Sequence, residues 1–381
     1  LEIYIHIPFC IKKCSYCDFL SAPAAEQTVE SYMAALFAEI GGRAKDYSDR
    51  TVTSIFIGGG TPSLLSGEQI GQLMDRIREQ FAMAQDAEIT MEVNPGTASA
   101  EKLRNFYTAG INRLSIGMQS AQAEELKNLG RIHDFEGFCQ VYREAVEAGF
   151  TNINVDIMSG LPGQTLASYR DTLEKVLHLE PMPQHISAYS LIVEEGTPFA
   201  AMAERGELPL PEEETERAMY EETIEVLAKY GFHRYEISNY ARDGYECRHN
   251  VGYWIRRDYL GFGIGAASLI DNVRFQNEKS LGAYLAHPLE SREEEQTLTV
   301  QDRMEETMFL GLRLTRGVSC VDFAEQYGRT VEEVYGEVIA RNVADGLLTV
   351  TERKENQKKD RFLALTKRGL DLSNYVMAQF L

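Results

Sequence analysis

The sequence predicts an α/β fold: a partial (β/α)6 TIM-like barrel followed by a smaller C-terminal winged-helix-like domain. Three observations carry this. Six strand-like runs alternate with stretches of helical spacing in the first half of the chain. Polar and sulfur-bearing residues gather where several different strands end, as in barrels whose sites are built from the loops at the strand ends. Beyond residue 298, helical segments are followed by a two-stranded ribbon.

The strand-like runs are LEIYIHIPF (1–9), TSIFIGG (53–59), AEITMEVNP (87–95), INRLSIGMQ (111–119), TNINVDIMS (151–159) and HISAYSLIV (185–193). Between them SYMAALFAEIGGRA, GEQIGQLMDRIREQF and FEGFCQVYREAVEAG repeat apolar residues at helical spacing. Helices stop at glycine just before the next strand, as in TAG-INRL and EAG-FTNI. Such alternation means parallel βαβ units with right-handed crossovers. The barrel is expected over 1–204 and a connecting region with the motif HNVGYW over 205–297. The C-terminal helical, winged-helix-like domain is expected over 298–381. Within the connecting region an acidic helix (PEEETERAMYEETIEVLAKYG) precedes an aromatic and glycine-rich stretch. ESREEEQ (290–296) reads as a solvated hinge. In the last domain the ribbon LLTVTE…RFLALT carries a locally basic tip, ERKENQKKDR (352–361).

Composition sets limits on function. With 381 residues, 44% of them apolar, the chain can bury a large core. A net charge of −20 argues against a general nucleic-acid binder, because phosphate contacts need a basic surface. No apolar run approaches the ~18 residues of a membrane span. Leu1 leads directly into a strand-like run without a charged leader or cleavage pattern, so a cytoplasmic location is expected.

Cysteine use is the sharpest signal. Cys10, Cys14 and Cys17 stand in the order C-x3-C-x2-C, half of the chain's six cysteines. Thiolate is the soft ligand that iron–sulfur clusters need, and three of them hold three irons of a cubane [4Fe–4S] cluster, leaving the fourth open. A structural zinc would want four ligands, and no second C-x2-C or H-x3-H pair follows. Cys139, Cys247 and Cys320 are scattered, unlike a disulfide framework. Other polar features fall on successive strands: GGGTP (58–62) after the second, Glu92 near the end of the third, Gln119 closing the fourth and Asp156 in the fifth.

C-x3-C-x2-C after a first strand, followed by GGGTP, resembles the radical SAM enzymes. HIPFCIKKCSYCDF, GGGTPS, VNPG, INRLSIGMQS, LGRIHD, DIMSGLPGQT, SAYSLIVEEGTPF, HNVGYW and LTKRGLDLSNYV together resemble the oxygen-independent coproporphyrinogen III oxidase family, nearest its haem-chaperone branch. The resemblance runs essentially end to end. It implies that S-adenosylmethionine chelates the open iron through its amino and carboxylate groups, and that one electron from the cluster breaks its C–S bond.

Gly59, Gly60 and Thr61 are then expected to contact S-adenosylmethionine, the glycines because a backbone without Cβ atoms can approach closely. Arg131 could pair bidentately with the methionyl carboxylate. Glu92 suits the ammonium or a ribose hydroxyl, and Gln119 and Asp156 suit the ribose. Tyr4 and Tyr16 also fall at family positions near the cofactor. His6 is expected to order the cluster loop without binding iron.

One departure matters. The family's dehydrogenases carry a further cysteine two residues after the third, where this chain has Phe19. They also carry a long N-terminal segment, whereas this chain begins nine residues before Cys10. Both differences favour haem binding and transfer to an acceptor protein, with an electron donor for the cluster. Coproporphyrinogen oxidation is the alternative, and a tRNA-modifying radical SAM enzyme a more distant one. His249 in HNVGYW is the expected axial haem ligand, with Tyr253 and Trp254 packing on the macrocycle and Cys247 as a softer alternative. Ala267 in GAAS stands where the family has histidine, which weakens a two-histidine scheme.

Overall fold

The computed structural model describes residues 1–290, 292–355 and 358–381. Strand and helix alternate as expected: β1 (Glu2–Ile7), α1 (Glu26–Arg43), β2 (Thr51–Gly59), α2 (Gly67–Gln80), β3 (Ala82–Val93), α3 (Ala100–Thr108) and β4 (Arg113–Gln119). Then follow α4 (Ala123–Leu129), α5 (Phe135–Ala148), β5 (Ile153–Ser159), α6 (Leu166–Leu177) and β6 (His185–Ser190). Strands β1 to β6 are parallel and pair in sequence order. Local chemistry marks the ends. Ser66 and Gln69 form a capping box on α2, and Gly130 and Gly149 close α4 and α5 in the left-handed conformation.

Alternation along each strand sets the barrel's two faces. Ile3, Ile5 and Ile7 of β1, Ile55 and Ile57 of β2, Met91 of β3, Leu114 and Ile116 of β4 and Val155 of β5 point outward into one core shared with the helices. Their neighbours point inward. By register these form polar rows across the barrel, such as His6–Gly58, Glu92–Ser115–Asn154–His185 and Gly117–Asp156–Ser187. The interior is therefore wet chemistry inside an apolar shell.

The connecting region departs from the sequence reading. After α7 (Pro198–Glu204), at the end of the expected barrel range, it supplies α8 (Glu213–Lys229), β7 (His233–Arg234), β8 (Asn239–Ala241), α9 (Arg248–Trp254), β9 (Tyr259–Phe262), β10 (Ala267–Ile270), β11 (Val273–Asn277), α10 (Leu281–Ala286) and β12 (Arg292–Thr297). Its strands flank the barrel on both sides, giving one twelve-stranded sheet in the order β12-β11-β10-β9-β1-β2-β3-β4-β5-β6-β8-β7. The expected hinge at 290–296 is mostly an edge strand, β12, antiparallel to β11 and exposed along its whole length; Ser291 lies outside the described residues. Its charges masked the strand pattern because an edge strand with no buried face needs no apolar alternation, and charge there discourages pairing with other chains.

A buried lock ties this flank to α1. The Glu39 carboxylate takes bonds from Arg43 at 2.8 Å, Asn277 Nδ2 at 2.7 Å, the Tyr284 hydroxyl at 2.6 Å and the Gly263 N–H at 2.8 Å. Arg43 also donates to Asn277 Oδ1 at 2.7 Å.

The C-terminal domain has its own core around Met308, Leu312, Phe323, Leu348 and Leu363. Its elements run α11 (Val300–Gly311), β13 (Val318–Ser319), α12 (Cys320–Tyr327), α13 (Val331–Ala344), β14 (Leu348–Glu355) and β15 (Lys358–Leu365), the order of a winged helix. The basic ribbon tip expected at 352–361 includes residues 356 and 357, which lie outside the described residues. Glu306 on α11 pairs with Arg256 at 2.8 Å and Arg274 at 2.7 Å, joining this domain to the sheet's flank.

Replacing Arg43 by leucine leaves the Glu39 carboxylate buried without its cation. A loss of about 3–5 kcal/mol in urea unfolding is expected, and a loss under 1 kcal/mol would show that the lock is not structural.

Candidate functional site

The chain leaves β1 into the cysteine loop, and backbone contacts position that loop before any cofactor is considered. The Gly60 and Thr61 N–H groups donate to Ile7 and Phe9 carbonyls at 2.8 and 2.7 Å. A Cβ on Gly60 would lie 2.6 Å from the Phe9 oxygen, so only glycine fits. The Cys10 N–H reaches the Ala22 carbonyl, and Ala22 donates back to Pro8, closing the loop at its base. In its middle, Ser15 donates to Leu129 and accepts from Phe199, both at 3.0 Å. His6 orders the loop's exit. Its Nε2–H donates to the Leu20 carbonyl at 2.8 Å, leaving Nδ1 to accept from the Tyr4 hydroxyl at 3.0 Å.

Behind the loop lies a cavity of about 650 Å3 at the C-terminal ends of the strands. Cys10, Cys14, Tyr16, Cys17, Gly59, Gly60, Thr61, Glu92, Gln119, Arg131 and Asp156 all line it. The Thr61 hydroxyl donates to Cys10 Sγ at 3.4 Å, and Arg131 Nη1 approaches Cys14 Sγ at 3.8 Å. Its Nη2 donates to the Gly117 carbonyl, and its buried Nε has no partner among the described residues. Gln119, at φ 68°, sits at a bulge where β4 shifts register on β5, and accepts from the Tyr189 hydroxyl at 2.9 Å. Asp156 accepts from Asn154 at 2.7 Å and Ser115 at 3.2 Å, and burial raises its pKa. Glu92 accepts the Gly59 N–H at 3.0 Å; burial, with Asp156 adding repulsion, pushes its carboxyl up to about 7.

Two expected residues lie elsewhere. Tyr4 does not line the cavity; its hydroxyl is occupied by His6. His249 is 1% exposed, stacks on Phe56, and has both ring nitrogens engaged, Nδ1 with Ser54 at 2.9 Å and Nε2 with Tyr253 at 3.0 Å. Burial, together with the Arg113 charge, lowers its pKa to about 3. As placed it offers no free nitrogen to iron, so the expectation of an axial ligand there is not carried forward. The Cys247 thiol fares no better: it is buried against Glu88, and burial pushes it up to about 12.

The sequence reading missed the polar floor, Arg113, Ser115, Asn154, Ser187 and Asn239. A signal existed: polar residues recur at every second position within otherwise apolar strands, as in Asn154 and Asp156 of β5.

The donor set fits a cluster and its nucleoside partner: three free thiols on one loop, an arginine with a spare buried N–H, and a glycine-edged backbone beside a buried carboxyl. Comparison with known proteins agrees. Residues 4–176 match the radical SAM superfamily and residues 298–372 the HemN C-terminal domain. The haem chaperone HemW of Bacillus subtilis is 39% identical over 99% of this chain and 98% of its own length. The chain belongs to the HemW family. HemW of Escherichia coli is 37% identical, with 92% of each chain covered. Among solved structures, the coproporphyrinogen III oxidase HemN of Escherichia coli superposes with a TM-score of 0.85 at 27% identity, covering all of this chain and 89% of that one. Radical SAM membership implies a [4Fe–4S] cluster and S-adenosylmethionine. Among the described residues, no helix is long and apolar enough to cross a membrane.

Two outcomes are expected. Cys14→Ala should abolish the intact cluster after anaerobic reconstitution while circular dichroism stays unchanged, because the loop's backbone anchors survive; an unaltered cluster spectrum would refute its role. The second concerns Glu92 in the cofactor-free protein. An unfolded glutamate releases its proton near 4.5, so between 4.5 and about 7 the folded state keeps a proton the unfolded state has lost. Stability from this group thus falls as pH rises through that window. Glu92→Gln should gain on the parent progressively, reaching on the order of 1–3 kcal/mol at pH 8. Parallel stability curves from pH 4.5 to 8 would contradict it.

Proposed function

We propose that this chain binds haem and passes it to an acceptor protein, with a [4Fe–4S] cluster and S-adenosylmethionine as resident cofactors. The observation that carries this reading is similarity along nearly the whole chain to proteins named haem chaperone HemW. Phe19, standing where the resemblance places a further cysteine in the dehydrogenases, points the same way.

In this reading Cys10, Cys14 and Cys17 hold the cluster, and donation from Thr61 and Arg131 tempers the charge on two of the three sulfurs. Bound together, cluster and S-adenosylmethionine supply one-electron reductive chemistry. The chain's own residues orient them. Arg131, whose buried Nε–H is unpartnered among the described residues, would hold the methionyl carboxylate, and the backbone of Gly59, Gly60 and Thr61 would border that end. Glu92 would take the ammonium, Gln119 and Asp156 the ribose, and Tyr16 would border the cluster, all four lining the one cavity. Tyr4 acts at one remove, by fixing His6 and so the loop. An electron donor would reach the cluster from the loop's exposed edge, Ile11 to Lys13. The cytoplasm, where thiols stay reduced, suits such a site.

The likeness to HemN favours a second reading, oxidation of coproporphyrinogen III. One anaerobic sample of reconstituted protein decides between them. Haem titration should saturate a Soret signal near one equivalent, while coproporphyrinogen III with S-adenosylmethionine yields no protoporphyrinogen above background. Protoporphyrinogen formed over many turnovers would overturn the haem-delivery reading.

A further inference from the structure

At the start of β4, far below the cysteine loop, stands Arg113. It is 2% exposed and lines the cavity, yet no hydrogen bond or ion pair joins its guanidinium to any described residue, and its Nε is wholly buried. A buried guanidinium carries five N–H donors and cannot give up its charge, so such a placement is costly unless an acceptor meets it.

Burial disfavours its charge and the neighbouring Glu88 and Asp156 carboxylates offset that through space, but neither hydrogen-bonds the guanidinium. Glu88 is committed to α9, accepting the Arg248 and His249 N–H groups, both at 3.1 Å, and the Cys247 thiol. Asp156 is committed to Asn154 and Ser115. Around the guanidinium several polar groups satisfy one another. Ser187 donates to Asn239 at 2.7 Å, and Asn239 in turn donates to Glu236 at 2.6 Å. His185 bonds Asn154 and Tyr235. Arg113 thus makes no hydrogen bond in a floor where Ser187, Asn239, His185 and Asn154 bond one another, and the buried Thr90 hydroxyl on the adjoining strand is likewise without a partner among the described residues. Asn250 of HNVGYW lines the same cavity.

Arg113 also leaves the barrel wall well away from the cluster loop. It lies six residues along β4 from Gln119, about 20 Å of strand, while Arg131 stands beside Cys14 at the mouth. We propose that Arg113 is a carboxylate-binding residue at the cavity floor, and that its ligand is a propionate of haem. This assignment rests on the haem reading above. A guanidinium matches a carboxylate in a bidentate, charge-assisted pair.

The test compares haem with haem dimethyl ester, whose propionates carry no charge. Both are titrated anaerobically into the reconstituted protein and followed at the Soret band. The ester should bind at least roughly tenfold more weakly. Arg113→Gln, confirmed as folded by circular dichroism, should bind haem about as weakly as the parent binds the ester, and should no longer distinguish the two. Equal affinity of the parent for haem and ester overturns the proposal without any variant, and so does full discrimination retained by the variant. Failure of the parent to bind either compound would overturn the haem reading itself, a result distinct from equal binding of both.

Discussion

The site depends on one backbone contact with no room for a side chain. Where β1 and β2 end, the Gly60 N–H meets the Ile7 carbonyl, and a Cβ at that position would collide with the Phe9 oxygen. That contact brings the cysteine loop against the glycine turn, and so places a thiol beside Thr61. The glycines of GGGTP were read from the sequence as room for a cofactor. Their first requirement is internal: they let two strand exits touch. His6 packs over Gly59, where a Cβ would lie 2.4 Å from its ring.

Inside the barrel, charge is managed without much compensation by ion pairing. Glu92, Asp156 and Arg113 share one cavity, and each is held by neutral donors or by nothing at all. Burial keeps the two carboxyls reluctant to ionise, while Arg113, disfavoured by burial, is stabilised through space by Glu88 and Asp156 without a hydrogen bond to either. Such an arrangement is ill suited to an empty protein and well suited to one that receives a charged, polar ligand. Positive charge on the ligand would relieve the carboxyls, and negative charge would relieve the arginines.

How much of this was legible in the sequence differs by region. The βα period, the glycine stops of α3 and α5 and the three-cysteine loop announced the barrel and its mouth, because each is a local pattern with a local cause. The flank over 205–297 was not legible. Its strands are two to six residues long and one is fully exposed, so neither length nor alternation marks them. The Glu39–Arg43–Asn277–Tyr284 lock joins residues more than two hundred positions apart, which no local pattern reports. His249 shows the opposite failure. A histidine in a distinctive motif reads as a ligand, yet its ring, on helix α9, is held by Ser54 of β2. Arg113 was passed over because it lies inside the predicted strand run 111–119 and belongs to no motif with a chemical signature of its own.

The cysteine loop is held at its base, its middle and its exit by bonds that involve no sulfur. The consequence concerns assembly. A loop already ordered has little conformational entropy left to lose when iron and sulfide arrive. Cluster binding to a loop held in this way demands little further ordering of its backbone.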